Sequence, residues 1–230
     1  MPASEKIAFL VFGCAVGAVY LLEGAVIVHA VQNKLRGQKT GGILWAKGAI
    51  AVHVLAILGV GCFIYGRFVE PGRVEVNRFE IGTAKLKEAR FRIVQISDLH
   101  CERSALNEER IVPLINGLDA DLIVFTGDAV NGPDGLPLFK RTLGSLEAKL
   151  GKLAVRGNFE IGRRGKLDLY SGTGFRLLVR DGVLLEKDGE ALQVLGLRCD
   201  RPDEAEAVLG EVSGECFSIF LHHWSDMIED

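Results

Sequence analysis

"FRIVQISDLH", residues 91–100, reads as a short buried strand that stops at a polar turn: Ile93, Val94 and Ile96 lead directly into Ser97, Asp98 and His100. The same construction recurs down the chain. "DLIVFT" (121–126) runs into Gly127, Asp128 and Asn131; "KLAVR" (152–156) runs into Gly157 and Asn158; "FSIFL" (217–221) runs into His222 and His223. "FRLLV" (175–179), "VLLE" (183–186) and "ALQVLGL" (191–197) read as further strands. Helical spacing separates the first three. Ile111, Leu114, Ile115 and Leu118 share one face of 107–118, with Asn107 as N-cap and Pro113 in the early turns. Phe139, Leu143, Leu146 and Leu150 do the same over 137–150. This alternation predicts an α/β layer with parallel neighbours, followed by a more antiparallel part.

Polar groups in open α/β sheets collect beyond the C-terminal ends of the strands. Singly, an Asp after a strand is a cap and a Gly-Asn is a turn. Repeated at four strand ends, Asp98, His100, Asp128, Asn158 and a terminal His form a donor set of carboxylate, imidazole and amide oxygen. That set suits hard or borderline cations such as Mn, Fe, Zn or Mg, and a central Asp can bridge two of them.

The rest of the chain has a different character. Residues 7–31 and 43–68 are nearly all apolar, broken by Glu23, His29, Lys47, His53 and Arg67. Each is long enough for a hydrocarbon core of roughly 30 Å, so residues 1–69 are expected to form a transmembrane helical hairpin around a short basic turn, with the soluble domain at 70–230. Gly13 and Gly17 either let the spans approach closely or are simply glycines of an apolar helix. Lys34, Arg36 and Lys39 in the turn nearly balance Lys6, Arg67, Arg73 and Arg78 on the other side. The stretch "EPGRVEVNRFEI" (70–81) alternates Val74, Val76 and Phe79 with charges and is expected to be a half-buried strand.

Composition excludes some classes. A net charge of −3 over 230 residues gives no electrostatic footprint for nucleic acid. Five scattered Cys without a Cys-x-x-Cys pair form neither a disulfide framework nor a zinc knuckle, and lean towards a reducing, cytoplasmic side for the soluble domain. No Gly-x-Gly-x-x-Gly or P-loop pattern supports a nucleotide-binding domain instead.

Taken in order, "QISDLH", "FTGDAVN", "RGNFE" and "FLHHWSD" resemble the calcineurin-like metallophosphoesterases. The lead-in from residue 70 resembles the membrane-attached branch, which includes enzymes similar to UDP-2,3-diacylglucosamine pyrophosphatases. The resemblance implies a two-sheet αββα domain and two divalent metals. Asp98 and His100 would hold one, Asn158 and His223 the other, and Asp128 would bridge them. His223 rather than His222 matches the family's His-x-Pro-Asp and falls on the face of Phe217, Ile219 and Leu221. A metal-bridged hydroxide would attack phosphorus in a phosphate ester or pyrophosphate.

Two departures accompany the resemblance. The family's Gly-Asn-His carries a general acid, and Phe159 stands in its place, a loss that typically costs about 10²–10⁴-fold. No Gly-His-x-His follows the His223 motif, which implies an incomplete domain truncated at its C-terminus. The alternative expectation is therefore a catalytically impaired or inactive member with a non-enzymatic membrane role. The expected partners are the lipid bilayer and a phosphorylated, lipid-linked substrate. Arg163 and Arg164, in the loop after Asn158, are candidates for binding its phosphate or touching anionic headgroups, the alternative being a plain solvated loop.

Overall fold

The computed structural model describes residues 3–39, 41–161 and 166–224. The chain divides into two compact units, 1–73 and 74–230.

In the first unit, α1 (Ala3–Leu35) and α2 (Ile43–Ile64) pack as a hairpin, and a π-helical turn, Tyr65–Val69, extends the second. α1 is about 50 Å long at 1.5 Å per residue, more than a hydrocarbon core requires. Both helices are long and apolar enough to cross a membrane, and their apolar side chains point outward, with Phe9, Leu21, Ile57 and Phe63 largely exposed. Polar clasps join the helices: His53 Nδ1 lies 2.7 Å from the Glu23 carboxylate, and the Tyr20 hydroxyl donates to the Ala56 carbonyl at 3.2 Å. The close approach is at Gly59, where a Cβ would stand 2.6 Å from the Tyr20 hydroxyl. Gly13 and Gly17 have nothing within 4 Å of a Cβ, so they are glycines of an apolar helix and not the contact.

The second unit contains two sheets. β1 (Ile93–Ile96), β2 (Leu122–Phe125), β3 (Gly151–Ala154) and β4 (Phe175–Leu177) are parallel neighbours in that order. α3 (Glu108–Asn116) and α4 (Leu136–Gly144) connect the first three and cover one face. β5 (Arg180–Lys187) and β6 (Glu190–Leu197) form a hairpin through Asp188 and Gly189, both at positive φ (54° and 79°), the geometry a two-residue Asp-Gly turn selects. α5 (Ala205–Leu209) then carries the chain across to β7 (Phe217–Leu221), which pairs parallel to β6.

Strand alternation sorts the apolar residues into three layers. Ile123 and Phe125 face Ile115 of α3 and Phe139 and Leu143 of α4. Leu122 and Val124 face the other way, against Leu192, Val194 and Leu221 of the second sheet. Leu195 and Leu197 turn outward onto Ala205 and Val208 of α5. The result is helix, sheet, sheet, helix, and strands buried on both faces read as continuous apolar runs.

Two local expectations are corrected and a third is refined. Residues 73–92 form no strand; Phe79 (88% exposed) and Ile81 (77%) have no layer to pack on, and an alternating pattern becomes a strand only where a neighbour supplies the ladder. α4 ends at Gly144, not near 150: the Ser145 amide and hydroxyl both bond back to the Arg141 carbonyl, and the Lys152 ammonium takes the Leu143 carbonyl and, beyond the helix, those of Leu146 and Thr173. Lys149 and Leu150 already bond to Ala120 and Asp121 at the start of β2. Asn107 is the N-cap of α3 by position, but its side chain makes no cap bond, and Glu108 Oε2 accepts the Leu106 and Asn107 amides instead.

Asp121 ties the two sheets together. Its Oδ2 accepts the Arg92 amide before β1 and the Lys187 ammonium at the end of β5, both at 2.7 Å. Burial alone would raise this carboxyl, but the amide and the ammonium hold it below its ordinary value. A depressed carboxylate stabilises the fold above its unfolded pKa near 4 and loses that contribution as the pH falls through its folded value. Asp121→Asn is therefore expected to cost about 1–3 kcal/mol at pH 7, with the gap to wild type narrowing below about pH 4. Thermal unfolding of the full chain across that pH range measures both.

Candidate metal centre

The parallel ladder continues past the strand ends. The Asp98 amide donates to the Gly127 carbonyl at 3.0 Å, the His100 amide to the Asp128 carbonyl at 3.0 Å, and the Cys101 amide to the Ala129 carbonyl at 2.9 Å. These bonds bring the β1 and β2 loops alongside each other. They also hold Asp98, His100 and Asp128 at φ of 55°, 44° and 59°. Asp and His are among the non-glycine types that tolerate this left-handed region best.

The β3 loop closes onto the β2 loop at two glycines. A Cβ on Gly127 would overlap the Gly157 backbone, and a Cβ on Gly157 would overlap the Asp128 carboxylate. Either side chain would push the loops apart. This close approach accounts for the Gly-Asp and Gly-Asn dipeptides at these ends.

The resulting constellation centres on Asp128, whose residue is 3% exposed. Its Oδ2 lies 3.6 Å from His100 Nε2, which is 3.8 Å from Asp98 Oδ1. Its Oδ1 lies 3.5 Å from His223 Nε2, which is 2.9 Å from Asn158 Oδ1. One carboxylate thus faces a different imidazole with each oxygen. Asp98, His100 and Asp128 offer ligand atoms within 4.8 Å of one another, close enough to hold a metal ion.

The second half carries its own test of fit. His223 Nδ1 is 2.8 Å from the Thr126 carbonyl, which only accepts, so this nitrogen carries a proton, and in the neutral ring Nε2 presents a lone pair. The Trp224 indole N–H donates to Asn158 Oδ1 at 3.3 Å, which orients the amide with its oxygen inward. With the ring neutral, Nε2 and Asn158 Oδ1 are two acceptors 2.9 Å apart, a pair that suits a cation between them. Ligands about 2.1 Å from a metal and at right angles are separated by about 3 Å, so the donor pair fits.

Glu160 is the functional-site residue that sequence reasoning missed. Its buried carboxylate accepts the amides of Asp128 (3.0 Å), Ala129 (2.6 Å) and Gly157 (2.7 Å). The signal was a Glu three residues after Gly157, the N-cap of the short 3₁₀ turn Asn158–Glu160, half of a capping box. Phe159 between them donates its amide to Asp128 Oδ1 at 2.9 Å and packs its ring on His100.

His222 turns away, stacking on Phe220 and accepting the Trp224 amide. Two buried cysteines carry raised thiol pKa values. Burial pushes Cys101 up to about 12, with Glu108 adding to it, and Cys199 up to about 11, with Asp200, Glu160 and Asp128 adding to it. Arg163 and Arg164 lie outside the described residues.

Comparison with known proteins places this arrangement. A Bacillus subtilis (strain 168) protein described as "Uncharacterized metallophosphoesterase YkuE" is 31% identical over 198 residues, which is 78% of this chain; the chain spans 66% of that relative's length. The crystal structure of an Aquifex aeolicus protein of unknown function, AQ665, matches 59% of this chain and 92% of its own at 15% identity, with a TM-score of 0.33. The profile of the calcineurin-like phosphoesterases matches residues 91–226, a span that takes in all four strand-end motifs and more than half of the chain, and the protein belongs to that family.

Proposed function

We propose that the protein is a membrane-tethered, metal-dependent phosphoesterase that cleaves a phosphate ester or anhydride. The observation that carries this reading is the Asp128 carboxylate, aimed with separate oxygens at His100 and His223. Asp98, His100 and Asp128 would hold one divalent cation, and Asp128, Asn158 and His223 a second. Such cations, when bound, supply an activated water and neutralise charge on the phosphoryl group. The chain's own part is to fix these donors. Thr126 sets the His223 tautomer, and Glu160 and the Phe159 amide hold the Asp128 loop.

Phe159 narrows the substrate class. A phenyl ring at the turn next to Asp128 and His100 can neither donate a proton nor hydrogen-bond a phosphate. Leaving groups that depart as stable anions suit such a site, and the phosphate of an anhydride is one. The two apolar helices add a tether, which favours a lipid-linked substrate. A nucleotide-linked lipid pyrophosphate, of the kind the UDP-2,3-diacylglucosamine pyrophosphatases cleave, combines both features. Arg163 and Arg164 would contact its phosphates.

Detergent-solubilised full chain with Mn²⁺ is expected to hydrolyse bis(p-nitrophenyl) phosphate, and Asp128→Ala to lower that rate by about 100-fold or more. Manganese uptake without turnover would favour the non-catalytic reading instead. Across substituted aryl phosphodiesters, rates are expected to fall steeply as the leaving-group pKa rises from 7 to 10, in the range typical of about 10²-fold for an unassisted departure. Phe159→His should flatten that dependence. Glu160→Gln leaves at least one buried amide badly paired, so it is expected to cost about 1–3 kcal/mol in unfolding and to weaken Mn²⁺ binding; calorimetry of the same sample reads both.

A further inference from the structure

The two imidazoles that face Asp128 are held by different means. His223 donates Nδ1–H to a main-chain carbonyl, the kind of outer contact that normally fixes a ligand's tautomer and ring plane. His100 has no such contact. Its Nε2 faces the carboxylates of Asp98 and Asp128, while its Nδ1 is buried without a hydrogen-bond partner among the described residues. What meets the ring instead is Phe159, with centroids 4.5 Å apart and planes at 78°, an edge-to-face pair.

We infer that Phe159 is a positioning residue for the Asp98–His100–Asp128 metal position, acting through its ring on His100 and through its amide on Asp128. This rests on the metal-dependent reading above. An aromatic contact restrains a ring plane more weakly than a charge-assisted or carbonyl hydrogen bond, and it leaves Nδ1 without an acceptor to raise the basicity of Nε2. The two positions should therefore differ in affinity. The Asp128–Asn158–His223 position loads first, and the Asp98–His100–Asp128 position loads second and depends on the Phe159 ring. The substitution at residue 159 thus replaces a protic side chain with a packing one; it does not leave a hole.

The two contacts of Phe159 separate cleanly by mutation, because any residue but proline keeps the amide that holds Asp128. Mn²⁺ titration of the metal-stripped full chain, followed by calorimetry and by electron paramagnetic resonance, is expected to show two steps, with spin coupling between the ions arising only in the second. Asn158→Ala should abolish the tighter step. Phe159→Ala should weaken the second step by about 2- to 10-fold and leave the first unchanged. Phe159→Tyr, which keeps the ring, should restore it. Phe159→Leu keeps the bulk without the aromatic edge and gives the same selective weakening should the alanine variant fail to fold. Equal weakening of both steps, or of neither, overturns the inference while leaving the phosphoesterase reading intact. A wild-type chain that takes up no Mn²⁺ overturns the metal reading itself.

Discussion

The Glu160 carboxylate is the constraint on which the rest of the site depends. It is buried and accepts three amides, two from the β2 loop and one from the β3 loop. An anion in that environment is costly unless its lone pairs are occupied, and three short N–H bonds occupy them. In return the loops are held together at the Gly127–Gly157 contact, where no Cβ fits. Asp98, His100 and Asp128 sit at positive φ, a conformation that costs on the order of 1–3 kcal/mol for each residue. The inter-loop amide bonds and the Glu160 clamp offset that strain. Without them Asp128 would relax to an ordinary turn, and its two oxygens would no longer face two imidazoles.

Much of this was legible in the sequence because it follows from periodicity. β1, β2, β3, β6 and β7 are short apolar runs, β2 buried at every position, and the groups that follow β1, β2 and β3 converge because parallel neighbours end at the same edge. What was not legible depends on partners far along the chain. The alternation of Val74, Val76 and Phe79 looks like a strand, but strand formation needs a ladder that the local pattern cannot supply. Nearer by, α4 ends at Gly144, with Ser145 bonding back to the Arg141 carbonyl and the Lys152 ammonium on the Leu143 carbonyl, so helical spacing ran six residues beyond the observed end. Glu160 was hidden for a similar reason. Its role is to receive amides from residues 128 and 129, and nothing in "GNFE" announces a partner thirty positions earlier.

The asymmetry between His100 and His223 is one of anchoring: the two imidazoles that face Asp128 are held by different kinds of group. His223 is anchored by main chain, through Thr126, and main-chain anchors survive side-chain substitution. His100 is anchored by a side chain, so its surroundings respond to whatever residue 159 is. A phenyl ring there offers no proton to the site. It also replaces a hydrated polar group with an apolar wall against the Asp128–His100 pair. Lower local polarity strengthens the attraction of a carboxylate for a cation, and raises the penalty for any charge left uncompensated. With cations bound, a site of that kind would discriminate by leaving group more than by proton transfer, because the Phe159 side chain offers no proton to a departing alkoxide.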